Sequence, residues 1–313
     1  MDILNIKIPA DVPKEMRDEY VENYTIITKN TRHLLLYVCD HKIEHMNNDF
    51  YKEVENPQRL FDLYDLCKKD IGAFATHPGL IARYAHNYQD LNYFAKLNGK
   101  TNLIPKKAMD PMSAQLWTVD DILFLKKQGI SIRGIGYTVY LGSKYERYML
   151  QEAAHIITAA HHHGLITCLW MYPRGKYIKN ERDLALISGA CGVAQSLGSD
   201  FAKIKYPQKK KFHCIFDNTS CTMQTPPQVA GNTQIIISGG EPGAEYSDTE
   251  LLNNTWEQIH LWGYAGRAIG RFIFQKSLPQ AQILVKALGK IIYKDLDAKM
   301  VVAQYLADKN ALQ

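Results

Sequence analysis

Short runs of β-branched and aromatic residues recur along the chain, and between them the apolar positions fall at helical spacing, the alternation expected of repeated βα units. The runs predict strands over 34–39, 71–76, 93–97, 134–141, 165–172, 201–206, 234–238 and 265–270. Eight units are what a closed (β/α)8 TIM barrel needs. Leu60, Phe61, Tyr64 and Cys67 form one helical stripe within 56–70, and Met149, Ala153, Ile156, Ile157 and Ala160 form another within 143–163. Asn56 and Pro57 read as the N-cap and first position of the former. Ser143 with Glu146 reads as a capping box for the latter, and Gly164 as its stop. Further helices are predicted over 183–197, 248–261 and 277–288, the last with Pro279 in its first turn, where proline is tolerated.

The 313 residues therefore divide into one α/β barrel domain over 34–292, an N-terminal cap or arm over 1–33 and a C-terminal helical tail over 293–313. An apolar fraction of 46% and a charged fraction of 22% are ordinary for a globular chain with a large core. No stretch approaches the roughly 20 apolar residues of a membrane span, and the first residues lack the apolar core of a signal peptide, so a cytoplasmic protein with no membrane partner is expected. Six scattered cysteines without CxxC spacing read as free thiols. The formal charge of +5 suits an anionic substrate, but no basic stripe with interleaved aromatics points to nucleic acid. The run Lys209, Lys210, Lys211 reads as a solvated loop.

In such a barrel the active site lies at the C-terminal ends of the strands, which gives polar residues there functional weight. The first strand is followed by Asp40, His41, Glu44, His45 and Asp49; the fifth carries Trp170, Tyr172 and Arg174. The sixth holds Lys203 and Lys205, which period two places on one face. If that face is the interior, burial and a neighbouring cation depress a lysine pKa and leave free amine able to attack a carbonyl. The seventh and eighth ends, with Ser238, Gly239, Gly240, Gly270 and Arg271, fall where barrels bind phosphate, and glycines let backbone N–H groups approach it closely.

These motifs, DHxxEH from Asp40, KLNGKT from Lys96, LWMYPRG from Leu169, KIKY from Lys203, SGG from Ser238 and GR from Gly270, stand in one order on the expected strands. Over about residues 34–288 the chain resembles the archaeal-type class I fructose-bisphosphate aldolases. The resemblance implies that Lys203 forms a Schiff base, that Tyr172 donates and accepts protons, and that Asp40 shuttles protons at the carbinolamine. His41, His45, Asp49, Trp170 and Arg174 would line the substrate site, Ser238, Gly239, Gly240, Gly270 and Arg271 would hold a phosphate, and Lys205 would support Lys203 electrostatically. It also implies a phosphorylated sugar substrate, no metal or other cofactor, and a homo-oligomer. For Tyr172 to work as acid and base, positive charge from Arg174 or the iminium should bias its phenol.

Two positions depart from the family pattern: Lys42 replaces a common glycine, and PQKKKFHCIF (207–216) replaces a Thr-Gly-Asp continuation. DHKIEH is also a possible zinc set, as a class II aldolase or hydrolase would need, but buried lysine cations would repel a divalent ion. His161, His162 and His163 point in different helical directions and cannot face one metal; at a helix C-terminus their cationic character suits the macrodipole. Two other functions stay open: a Schiff-base transaldol or acyl transferase on another phosphorylated ketose, and a catalytically silent oligomeric barrel.

Overall fold

Each of the eight runs forms a strand. In a computed structural model, which describes residues 6–50, 56–207, 225–240 and 246–312, they are β1 Leu34–Val38, β2 Ala73–Thr76, β3 Tyr93–Lys96, β4 Ile132–Leu141, β5 Ile166–Pro173, β6 Phe201–Ile204, β7 Gln234–Ser238 and β8 Gly266–Ile269. Neighbours pair in parallel, and β1 bonds to both β2 and β8, so the barrel closes in chain order. The ladder of β6 ends at Ile204, short of the expected Tyr206. Beyond it Lys205 and Tyr206 bond to the segment after β5, Lys205 Nζ to Glu181 at 2.8 Å and the Tyr206 carbonyl to Arg182 Nε at 3.0 Å.

Alternation decides what lies inside. Leu34, Leu36, Val38, Ala73, Ala75, Phe94, Ile166, Cys168, Trp170, Phe201, Ile236 and Ala268 pack into one cluster, the barrel interior. Their outward neighbours, such as Leu35, Tyr37, Ile135 and Leu169, pack against the helices. The inward parity continues beyond the apolar filling, taking in Asp40, His77, Lys96, Tyr172, Lys203, Ser238 and Gly270. On β4 the inward row has glycines where its neighbours are large: a Cβ at Gly136 would stand 2.4 Å from Trp170 Cζ3. The missing side chain leaves the space the indole fills.

The opposite end is closed by the segment before β1. Helix Arg17–Thr28 inserts Tyr20, Tyr24 and Ile27 into the interior cluster. Tyr20 Oη donates to Asp200 Oδ1 at 2.5 Å, and Asp200 Oδ2 also accepts from the Thr167 backbone N–H at 2.7 Å. His161 bridges Asp200 and Asp11 with ring nitrogens at 3.1 and 2.9 Å. The histidine trio thus splits: His162 and His163 are exposed, whereas His161 is a buried counter-ion, a role that the macrodipole argument did not anticipate.

The helices hold the expected stripes, with local corrections. Helix Gln58–Cys67 starts one residue late, and Asn56 Oδ1 still accepts the Gln58 N–H at 3.0 Å. No capping box forms between Ser143 and Glu146. Ser143 Oγ is drawn away to the Pro111 carbonyl at 2.7 Å, Glu146 accepts from the Gly142 N–H, and the helix runs Glu146–His161. Gly164 ends that turn at φ +66°, as expected. Helices Leu184–Ser196 and Asp248–His260 match expectation, while Leu278–Lys294 runs beyond residue 288 because Ile291 and Ile292 continue its buried stripe. A last helix, Ala298–Asn310, packs through Val301 and Tyr305, whose Oη donates to Asp248 Oδ2 at 2.6 Å. A small antiparallel pair, Asn98–Gly99 with Ala114–Gln115, had no sequence signal and lies between β3 and β4. Cys39, Cys67, Cys168 and Cys191 are buried free thiols. Cys214, Cys221, the 209–211 lysine run and nearly all of 207–216 lie outside the described residues.

Although burial opposes its charge, the two carboxylates raise the His161 pKa from 6.5 to about 9. A raised folded pKa stabilises fully below the unfolded value and is lost as pH rises through the folded one, a span worth roughly 3 kcal/mol here. The unfolding temperature of the native chain should therefore fall between pH 6.5 and about 9. In His161→Phe this pH dependence should be largely absent.

Candidate active site

A cavity of about 300 Å³ opens at the C-terminal ends of the strands. Every predicted site residue except Asp49 lines it: Asp40, His41 and His45 after β1, Trp170, Tyr172 and Arg174 on and after β5, and Lys203 and Lys205 on and after β6. Ser238, Gly239 and Gly240 face it from β7, and Gly270 and Arg271 from β8. Asp49 sits behind, with Oδ2 2.7 Å from His45 Nδ1 and Oδ1 3.8 Å from Arg271 Nη1. A larger hollow of about 1050 Å³ at the opposite end lies beside Lys7 and Asn232 and contains none of the strand-tip groups.

Lys203 is only 6% exposed, and its Nζ lies 5.0 Å from the centre of the Trp170 ring. Burial lowers its pKa, partly opposed by the Asp40 carboxylate. The expected supporting cation is not where the KIKY spacing placed it. Lys205 shares the inward parity but, past the end of the ladder, its ammonium turns to Glu181. Among the described residues, the other buried lysine of the interior is Lys96, 2% exposed and 5.6 Å from the same indole. Sequence reasoning used it only as the first letter of KLNGKT. Period two on β3, applied as it was on β6, would have turned it inward.

Asp40 is held against β2 from below. His77 Nε2 contacts the Asp40 carbonyl at 3.2 Å and its Nδ1 the Lys96 carbonyl at 3.0 Å. Burial would raise the Asp40 pKa, but Lys203, His41 and Lys96 outweigh it and bring it down to about 2, so the carboxylate stays ionised. His41 is brought down to about 4, chiefly by burial, and is neutral near pH 7.

Tyr172 corrects an expectation. Its pKa lies well above the usual phenol value, because burial first and then Asp40 and Glu44 disfavour a phenolate, and the Arg174 guanidinium 5.4 Å from the ring does not reverse this. Without substrate the phenol is held in its protonated form. Arg174 is committed to Glu181 at 3.2 Å and Glu44 at 3.4 Å, while Lys205 and Lys106 also bond to Glu181. Glu44 was noted after the first strand without a role, and Glu181 was not expected in the site; their signal is the excess of cations around them. Lys42 lies at the mouth's edge, bonded to Asn47 Oδ1 at 3.1 Å and stacked over Phe50, and it does not line the cavity.

Opposite these groups the wall is backbone. Gly239 packs on Ile269, and a Cβ at Gly270 would stand 2.2 Å from the Val38 carbonyl and 2.9 Å from His41 Cε1, so this turn accepts only glycine without displacement. Tyr246 Oη donates to the Gly239 carbonyl at 3.0 Å and Arg271 Nη2 to that of Gly240 at 3.2 Å, fixing the two turns together. A rigid concave backbone with an arginine at its rim suits a phosphate. Among the described residues, no group of three or more His, Cys, Asp or Glu side chains is placed to hold a metal.

Residues 34–276 match the family described as DeoC/LacD family aldolase. The chain belongs to that family. This DeoC/LacD aldolase is 39% identical, over 97% of its length and 96% of the relative's, to a protein of Methanocaldococcus jannaschii named fructose-bisphosphate aldolase/6-deoxy-5-ketofructose 1-phosphate synthase. It is 31% identical, over 84% and 91%, to a fructose-bisphosphate aldolase class 1 of Halobacterium salinarum. Among solved structures, the fructose-bisphosphate aldolase of Slackia heliotrinireducens superposes with TM-score 0.90 at 38% identity, covering 98% of this chain and 96% of that one. An archaeal fructose-1,6-bisphosphate aldolase, described with its catalytic Lys bound to the substrate's carbinolamine intermediate, gives TM-score 0.73 at 27% identity over 88% and 99%.

If the β7 and β8 turns hold phosphate, inorganic phosphate should raise the unfolding temperature, by an amount equivalent to about 2.7 kcal/mol at 100 times its Kd. Arg271→Met should lose most of that shift. An unchanged shift in the variant would place the anion elsewhere.

Proposed function

We propose that this DeoC/LacD aldolase is a class I, metal-independent fructose-bisphosphate aldolase that reversibly cleaves fructose bisphosphate to dihydroxyacetone phosphate and glyceraldehyde 3-phosphate, with Lys203 as the nucleophile. The observation that carries the reading is a buried lysine on the aromatic floor of a cavity with an ionised carboxylate on one side and a backbone anion cradle on the other. With one phosphate on Ser238, Gly239, Gly240, Gly270 and Arg271, the ketone carbon is brought toward Lys203.

The lone pair of Lys203 Nζ attacks that carbon to give a carbinolamine, and loss of its hydroxyl as water gives an iminium. Asp40, ionised before the attack, takes a proton from the attacking nitrogen and returns it to the former carbonyl oxygen, which gives the neutral carbinolamine. Tyr172 begins protonated and supplies the proton for the departing hydroxyl. Once the iminium replaces a neutral amine, the new positive charge favours a phenolate, which can take the proton of the C4 hydroxyl. The C3–C4 electrons then flow into the iminium as an enamine while the aldehyde departs. Protonation of the enamine and addition of water release the second product and restore the amine. The Trp170 Nε1–H, buried without an acceptor among the described residues, is available to substrate oxygen. His41, His45, Arg174 and Lys205 line the remaining walls, and Asp49 holds His45.

The double name of the Methanocaldococcus relative favours a second reading, synthesis of a deoxyketose 1-phosphate at the same lysine. Kinetics with the two substrate classes separate them. A cytoplasmic setting and self-association belong to the main reading; no helix among the described residues is long and apolar enough to cross a membrane.

Borohydride with fructose bisphosphate should fix a reduced adduct on Lys203, located by peptide mass spectrometry and unaffected by EDTA. Lys203→Met should abolish the adduct and lower kcat by at least about 10³-fold, while Tyr172→Phe should keep the adduct and lose about 10²- to 10⁴-fold. Cleavage that needs a metal and leaves no adduct would overturn the assignment.

A further inference from the structure

Tyr246 faces two spaces at once. On one side it lines the 300 Å³ cavity, and on the other, with Phe272, a separate hollow of about 380 Å³ beside the last helix. Its ring is held in place without the hydroxyl. It stacks on Phe272 with centroids 5.5 Å apart and planes at 17°. The helix that begins two residues later is anchored where Asp248 accepts from Lys276 Nζ at 2.8 Å and from Tyr305 Oη at 2.6 Å. The hydroxyl is left one task, its bond to the Gly239 carbonyl at 3.0 Å. The peptide that bond holds, between Gly239 and Gly240, has no Cβ at either end, so side-chain sterics do not oppose its rotation. Its neighbours are already pinned: the Gly239 N–H donates to the Ala268 carbonyl at 2.7 Å, and the Gly240 carbonyl accepts from Arg271 Nη2 at 3.2 Å. Gly240 itself stands at φ +77°, and its N–H has no acceptor among the described residues.

We propose that Tyr246 is a positioning residue for the substrate phosphate: its hydroxyl keeps the Gly239 carbonyl turned to the β8 side, so that the Gly240 N–H, and not that carbonyl, meets the anion. The inference rests on the phosphate reading of the β7 and β8 turns and adds to it the group that sets their polarity. In a trans peptide the carbonyl and the following N–H point in opposite directions. Drawing the carbonyl toward Tyr246 and Phe272 therefore sends the Gly240 N–H away from them, across the cavity that Gly240 lines. Half a turn of this peptide would present carbonyl oxygen to the phosphate and replace a charge-assisted hydrogen bond with repulsion. Tyr246 does not serve as a ligand in its own right. A carbonyl can only accept, so the one hydroxyl proton is spent on Gly239, and the lone pairs that remain on Oη repel an anion.

Tyr246→Phe removes Oη and keeps the stacked ring, so the fold should be retained. The Kd of inorganic phosphate, measured by calorimetry, should rise roughly three- to tenfold, the loss expected for one hydrogen bond. KM for fructose bisphosphate should rise by a similar factor with kcat nearly unchanged. Borohydride trapping of dihydroxyacetone, a ketone without phosphate, on Lys203 should proceed at the native rate. An unchanged phosphate Kd in the variant overturns the proposal. So does an equal loss of dihydroxyacetone trapping, which would mean that the substitution distorts the whole site. Phosphate binding needs no chemistry, so a weakened Kd in a chain that traps no sugar on Lys203 would sink the aldolase reading and leave the role of Tyr246 standing. A native chain that binds no phosphate would remove the cradle and this role together.

Discussion

The C-terminal rim of this barrel is organised by one constraint, the removal of the Lys203 amine from water. Closure of eight parallel strands around an apolar interior makes a low-dielectric surround in which an ammonium is disfavoured. Trp170 supplies the surface on which the amine rests, and Gly136 supplies the room for Trp170. The same dryness threatens every other polar group nearby. Asp40 is therefore tied through its backbone to His77, Lys96 is tied to Asn98, and Asn98 to two strands.

Moving outward, the compensation of charge changes character. At the floor, the Lys96 ammonium is held by the carbonyl and side-chain amide of a single residue, Asn98. At the rim, Glu44 and Glu181 gather Arg174, Lys205 and Lys106 into a network open to solvent on one side. Such partly exposed pairs contribute little to stability individually. Their use is geometric: they stiffen the segment after β5, whose Arg182 in turn holds the Tyr206 carbonyl where β6 leaves the ladder. The backbone cradle on the other side needs no charge of its own, only glycines at positions where a Cβ would strike carbonyl or ring atoms.

The fold was legible because the barrel repeats one pattern. Eight apolar runs separated by helical stripes leave little choice of architecture, and a parity of two sorts core from covering layer even in strands of four residues. Most of the site was legible for the same reason, since a polar residue on the inward parity near a strand's end faces the cavity. What could not be read depended on partners distant in sequence. Ser143 and Glu146 have the spacing of a capping box, but Pro111 and Gly142 claim them. Lys205 has the parity to sit beside Lys203 until Glu181 turns it. The direction of the Tyr172 shift required knowing that burial and two carboxylates outweigh one guanidinium. Between β3 and β4 the two-residue strands Asn98–Gly99 and Ala114–Gln115 have too few positions to show any period, and that is where the Asn98 support lies.

Gly136 sets a limit on how this scaffold can diversify. Because a single missing side chain accommodates both the indole of Trp170 and the stem of Lys96, the floor of the cavity cannot be resized one residue at a time: any larger residue there displaces the aromatic platform and the buried cation together. The rim, where Arg182 and Lys205 line the cavity, can therefore change one residue at a time, while the floor can change only by concerted replacement of several strands' residues.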